Sequence, residues 1–240
     1  MKVTDGNQEV GVIIVAAGRG TRMGTKESKQ YLMLKSKPII VHTLEKFHQH
    51  PLISQIVLVT GKADIARCES WIKQYGLQDN VQVVEGGNER QHSVYQGLRA
   101  ISTPWVLVHD GVRPFVADEH ITSCFVTAKE YGAAVLAVPV KDTIKQVNEH
   151  GEVIGTPKRE SLWAIQTPQA FRASDLARAH EKASLEGFVG TDDAMLIERL
   201  GMQVKVVEGD YSNVKITTPD DLIYAEFITS RNNKGELTND

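Results

Sequence analysis

Near the N-terminus an uninterrupted apolar run, Val12-Ile-Ile-Val-Ala-Ala17, passes directly into a loop holding Gly18, Gly20 and Gly24. A strand with no polar residue in it is one that is covered on both faces. Glycines let a backbone approach a ligand closely and turn its N–H groups toward it. The loop and its exit also carry Arg19, Arg22, Lys26 and Lys29, four cations in a chain of net charge −3. Such a cluster calls for anions to offset it. A strand running into a glycine loop at the start of an α/β domain is where polyphosphates sit. The segment is therefore expected to grip a triphosphate, the alternative being a solvated basic turn.

Two better-known phosphate loops do not fit. A P-loop requires G-x-x-x-x-G-K-[ST], and no Lys-Ser or Lys-Thr follows a glycine here. The dinucleotide fingerprint requires G-x-G-x-x-G, whereas Gly18, Gly20 and Gly24 leave one residue too many in the second gap. That fold also ends its second strand on an acidic residue for the ribose. The second apolar run, Gln55-Ile-Val-Leu-Val-Thr-Gly61, has none.

A chain of 240 residues, 41% hydrophobic and 24% charged, is long enough to bury a sizeable core. Net charge −3 argues against a nucleic-acid surface, which would show a basic excess. No run approaches the roughly 20 apolar residues of a membrane span. Met1–Glu9 is polar and acidic and is not expected to be a signal peptide. The only cysteines, Cys68 and Cys124, lie among apolar neighbours in predicted helices. They are expected to be small core residues of a reducing cytoplasm rather than a disulfide or a metal pair.

Strands and helices alternate along most of the length. Strands are predicted at Val10–Ala17, Gln55–Thr60, Val81–Val84, Trp105–His109, Ala133–Val140 and Gln203–Glu208. Helices are predicted at Pro38–His50, Ala63–Tyr75, Glu89–Ile101, Asp118–Tyr131, Ser174–Leu185, Asp192–Leu200 and Pro219–Ser230. The pattern predicts one α/β domain over residues 1–230, a Rossmann-like, mostly parallel sheet flanked by helices. Alternation breaks at Lys141–Ser161, where polar and apolar residues alternate around the turn Asn148-Glu-His-Gly151; a projecting β-hairpin is expected. Arg231–Asp240 is polar and expected to fray.

Ligands bind at the carboxyl ends of parallel strands in this architecture. The turn Glu85-Gly-Gly-Asn-Glu-Arg-Gln-His-Ser93 suits backbone contacts to a small base and sugar, or is an ordinary connection. In His109-Asp-Gly-Val-Arg-Pro114, Asp110 stands at a strand end beside the polyphosphate site. It is a natural partner for Mg²⁺, which prefers one or two carboxylates plus phosphates and waters; a capping Asp is the alternative. His109 is expected to point the other way and be satisfied by its surroundings. Lys215, in the predicted short β segment Asn213-Val-Lys-Ile-Thr-Thr-Pro219, is a lysine at a strand end that needs an anion to meet it. Thr191-Asp-Asp193 looks first like a helix start.

Taken together and in order, these motifs closely resemble the 2-C-methyl-D-erythritol 4-phosphate cytidylyltransferases of the non-mevalonate isoprenoid pathway, from about Val10 to Ala225. The matching stretches are AAGxGxRMG at Ala16–Gly24, KQYL at Lys29–Leu32, GGxERxxSV at Gly86–Val94 and HDGVRPF at His109–Phe115. They continue with VPVKDTIK at Val138–Lys145, RxSLWAxQTPQAF at Arg159–Phe171, GTDDA at Gly190–Ala194 and NVKITTPDDL at Asn213–Leu222. Ser28 stands where the family usually has proline, Asn88 where it often has Asp, and Gly111-Val112 where it has alanines.

The resemblance implies transfer from CTP to methylerythritol phosphate, with Mg²⁺ or another divalent cation. Arg22, Lys29 and Lys215 would neutralise phosphate charge at the reacting centre. Ala16, Ala17, Gly18, Gly20, Gly87, Asn88 and Ser93 would contact the nucleotide. Asp110 would lie near metal and substrate, with Arg113, Thr143, Arg159 and Thr191 serving the acceptor. The resemblance further implies a homodimer whose arms cross, so that Thr143 and Arg159 serve the neighbour's site. A ribitol-5-phosphate cytidylyltransferase is the nearest rival; the Ala-Ala-Gly loop and the Lys-Asp-Thr-Ile-Lys segment favour methylerythritol phosphate. A non-catalytic nucleotide-binding scaffold is the rival of another class, against which the retention of Arg22, Lys29, Asp110 and Lys215 speaks.

Overall fold

The computed structural model describes residues 10–18 and 27–235. Arg22 and Gly20, with Arg19 and Lys26, lie outside the described residues. The first apolar run forms β1 (Val10–Val15). A small antiparallel pair, β2 (Met33–Leu34) and β3 (Lys37–Pro38), leads into α1 (Ile39–His48). Pro38, expected inside the first helical turn, stands just before it with an extended backbone (ψ 145°) because it closes that pair. There follow β4 (Ile53–Thr60), α2 (Ile65–Gln74), β5 (Val81–Glu85), α3 (Arg90–Ala100), β6 (Trp105–Asp110), α4 (Asp118–Tyr131) and β7 (Ala133–Pro139).

The expected hairpin is short. Only β8 (Gln146–Val147) and β9 (Val153–Gly155) pair, and the flanks of Lys141–Ser161 are irregular. Alternation alone overstated the strands, since both faces of this segment are exposed and no core fixes a register. The longest strand, β10 (Trp163–Arg172), has no counterpart among the predicted elements. Its Gln166-Thr-Pro-Gln169 centre breaks the apolar pattern, and pairing with β7 shifts register there. Then come α5 (Ala173–Leu185), α6 (Asp193–Arg199), β11 (Lys205–Glu208) and α7 (Pro219–Gly235), the last helix extending beyond the predicted end at Ser230.

The central sheet has seven strands in the order β11-β7-β10-β6-β1-β4-β5. Only β10 runs antiparallel to its neighbours β6 and β7. Both faces are covered, as the uninterrupted apolar strands require. On one face Val12, Ile14, Ile56 and Leu58 pack with Leu44, Phe47, Cys68 and Cys124; on the other Ile13, Val57 and Val59 pack with Val94, Leu98, Leu176 and Leu196. Cys68 and Cys124 are free and buried, and burial pushes the Cys124 thiol up to about 12.

The chain builds β1, β4 and β5 outward, then returns to place β6 on the opposite side of β1. That reversal is the switch point at which such sheets open a crevice. The register sets Val15 beside Asp110 and Thr60 beside Glu85, so the loops after β1, β5 and β6 emerge at one edge.

Candidate active site

Two adjoining clefts occupy that edge, with room for about 160 and 290 Å³. Ala16, Ala17, Gly18, Lys29, Gly87, Asn88 and Ser93 line the first, with Gln30 and Glu89. Arg113, Thr191 and Asp192 line the second, with Gln166, Thr167 and Gln169 of β10. Arg90, Asp110 and Lys215 line both and mark the junction.

The wall of the first cleft is fixed by local hydrogen bonds. The buried Gln30 amide donates to Ala16 O (2.7 Å) and Gly18 O (3.1 Å), which holds the entry to the glycine loop. Gly87 N–H donates to Ser93 Oγ at 3.1 Å, and Ser93 Oγ donates to Glu89 O at 3.1 Å, so the turn closes on its own helix. A Cβ on Gly87 would stand 2.4 Å from His92 Cβ, and one on Gly86 would stand 2.7 Å from Ala17 Cβ. Gly86 thus lets the two turns of this cleft meet, and Gly87 lets its own turn close on α3.

At the junction Asp110 Oδ2 lies 2.9 Å from Lys215 Nζ and 3.3 Å from Arg113 Nε, while Oδ1 lies 3.5 Å from Arg90 Nε. Burial alone would raise the Asp110 pKa; the charges of Lys215, Arg90 and Arg113 outweigh it and hold the carboxyl well below the usual range. Lys215 is not on a strand. The segment from Asn213 stays extended and meets the turn after β6 through Ile216 N–H to Val112 O (3.0 Å), without a ladder. Its anchor is Ile216, fully buried with Leu34, Ile39, Val112 and Ala225. Burying that side chain sets its neighbour Lys215 over Asp110.

His109 faces away from the clefts, as its place in the strand predicts. Its Nε2 is 3.0 Å from Arg113 O, which can only accept, so Nε2 carries the proton. Nδ1 then accepts from Thr167 Oγ1 at 3.1 Å, and that oxygen accepts from Asp110 N–H at 3.0 Å. Complete burial holds His109 neutral, with its pKa pushed down to about 4. Arg113 Nη1 donates to Asn213 O at 2.7 Å, tying the Lys215 segment into the same network.

Several participants were not singled out from sequence. Arg90, Thr167, Gln169 and Asp193 lie inside motifs quoted above, but only the fold brings them to one place. A useful signal was that Arg90 and Asp193 carry opposite charges at two predicted helix starts. Thr143 and Arg159 line neither cleft; both are exposed on the arm, where Arg159 Nη1 donates to Lys141 O at 2.9 Å.

A crevice at a sheet switch point, with a carboxylate ringed by cations between two clefts, suits a nucleotidyltransferase, and similarity to proteins of that class places the chain among them. The chain belongs to the family described as 2-C-methyl-D-erythritol 4-phosphate cytidylyltransferase (IspD), whose model matches residues 10–231. It is 50% identical over 231 residues to the cytidylyltransferase of that name from Alkaliphilus metalliredigens, covering 95% of this chain and 96% of the other. Identity to the Bacillus velezensis protein of the same name is 52% over 219 residues, covering 90% and 94%. Among solved structures, a 4-diphosphocytidyl-2C-methyl-D-erythritol synthase from Anaerococcus prevotii superposes with a TM-score of 0.83. That pair is 32% identical, with 93% of this chain and 100% of the other covered.

Proposed function

We propose that this chain transfers the cytidylyl group of CTP to 2-C-methyl-D-erythritol 4-phosphate, releasing pyrophosphate, as a step in isoprenoid precursor synthesis. Its family membership and its relatives' activity support the reaction. One observation carries the residue-level reading: the two clefts share Arg90, Asp110 and Lys215. Phosphates entering from either side meet the Lys215 ammonium, which Asp110 holds at that shared boundary.

CTP occupies the cleft of Ala16–Gly18 and Gly87–Ser93, and the acceptor the cleft of Arg113 and Thr191. A phosphate oxygen of the acceptor attacks the α-phosphorus. The new P–O bond forms as the bond to the α,β-bridging oxygen breaks, and pyrophosphate leaves with the electron pair. A phosphomonoester has a second pKa of about 6 and is already largely dianionic near pH 7, so no general base is required. The barrier lies in bringing two anions together and stabilising the charge that develops. Lys29, Lys215 and Arg22 supply that stabilisation.

Asp110, an ionised carboxylate facing both clefts, is the group that would hold Mg²⁺, sharing its oxygens with Lys215, Arg113 and Arg90. Held there, the ion would add positive charge to offset that of the phosphates. Two buried free cysteines agree with work in the cytoplasm.

The arm completes the acceptor site of a second copy. Val147, Val153 and Ile154 are more than half exposed on it, and an isolated two-stranded hairpin is marginal in water. In a crossed-arm dimer, mixing inactive Arg159→Ala protein with inactive Lys215→Ala protein restores activity, because exchange creates one site bearing neither defect. Monomers in sedimentation, or mixtures that stay inactive despite proven subunit exchange, would contradict the crossed arms.

A further inference from the structure

Arg90 is the first residue of α3 and leaves the nucleotide turn directly. Its guanidinium reaches two carboxylates on different elements: Nη1 is 2.6 Å from Asp193 Oδ2, on α6, and Nε is 3.5 Å from Asp110 Oδ1. Asp193 is 1% exposed, and its other oxygen lies 3.4 Å from His180 Nε2 of α5. The His180 ring stacks on Tyr95 of α3 at 5.7 Å, closing the circuit back to the helix that Arg90 begins. Beside it, Gln91 Nε2 donates to Phe188 O (3.0 Å) and Gln91 Oε1 accepts from Gly190 N–H (2.8 Å). The start of α3 is thus fastened to the chain that leads to Thr191 in the acceptor cleft.

We propose that Arg90 is a positioning residue that locks the nucleotide turn, Asp110 and the acceptor wall into a single geometry. A planar guanidinium can address two carboxylates from fixed directions at once, which a lysine ammonium on a flexible stem does not do. Transfer between ligands held in separate clefts depends on their relative placement, and an error of about 1 Å can cost about 100-fold in rate. Arg90 acts through Asp110 and Asp193 and takes no part in the bond exchange.

A plain structural role, in which Arg90 only balances the buried Asp193 charge, makes a different prediction. Arg90→Met alone would leave that charge unpaired and destabilise the fold. Arg90→Met combined with Asp193→Asn removes both charges together. The double variant is expected to melt close to wild type and keep KM for CTP within about threefold, while kcat falls about 10- to 100-fold. Arg90→Lys, which keeps the charge, should show the same split. Recovery of kcat with stability in the double variant, or a loss confined to KM, would overturn the proposal. The inference rests on placing the reaction at the junction, so Lys215→Ala is assayed in parallel. Unchanged kcat in Lys215→Ala contradicts that placement, whereas full kcat in the double variant alone contradicts only the role of Arg90.

Discussion

Lys215 stands at the junction, carried by the buried Ile216 anchor, whereas Lys29, in the short helix after the glycine loop, lines the first cleft. If each stabilises charge that grows during transfer, alanine at either position lowers kcat by about 10²–10³, the loss typical of one removed oxyanion donor. Lys215→Ala should melt somewhat lower, since Asp110 loses its 2.9 Å partner and keeps only Arg90 and Arg113, but it should remain folded. Steady-state kinetics beside a thermal melt checks this; near-normal kcat would remove the residue from the reacting centre. His109 makes a prediction of another kind. Its pKa, about 4 when folded, lies below the ordinary histidine value of about 6.5. The unfolded chain therefore takes up the proton first. Stability from this residue is complete above pH 6.5 and is lost as pH falls through 4, on the order of 3 kcal/mol in all. Asp110 and Asp193, held below their ordinary range, lose their contribution only at lower pH. Urea unfolding across pH 4–6.5 should show this slope, and His109→Gln should flatten it; an unchanged slope would assign it to other groups.

At the scale of elements, the nucleotide cleft depends on a turn with no room for a side chain. Gly87→Ala must displace His92 at the start of α3, and we expect KM for CTP to rise at least about tenfold with a smaller change in kcat. Unchanged affinity, measured by titration with CTP, would place the base elsewhere. This turn was legible in the sequence because glycines and polar residues mark a strand end. The parallel strands were legible for a similar reason: an uninterrupted run such as Val12–Ala17 has few other uses. β10 was not. Its polar centre serves the site, with Thr167 bonded to Asp110 and His109 and Gln169 donating to Asp192, so function interrupts the pattern that would reveal a strand. Lys215 failed in the opposite direction. Its neighbourhood resembles a strand, but a buried isoleucine and one backbone bond hold it as an extended loop.

Across the whole molecule, net charge −3 conceals a concentration of cations at the one edge where the two clefts meet. Arg90, Arg113 and Lys215 surround Asp110 there, with Lys29 on the nucleotide side. The motifs at Ala16–Gly18, Gly86–Val94 and His109–Phe115 made part of this charge distribution visible, since they follow β1, β5 and β6 at the same edge. The partnership between Arg90 and Asp193 was hidden because 103 residues separate them. The arm was visible as a break in alternation, but its strands are exposed on both faces, so no core fixes their length or register. The proposed reaction joins a cytidine nucleotide to methylerythritol phosphate at this edge. Pyrophosphate release, measured with CTP, ATP, GTP and UTP against methylerythritol phosphate and ribitol 5-phosphate, tests it most directly. Rapid release is expected only with CTP and methylerythritol phosphate, with every other pair at least about 100-fold lower in kcat/KM. Comparable turnover with a purine nucleotide or with ribitol 5-phosphate would contradict it.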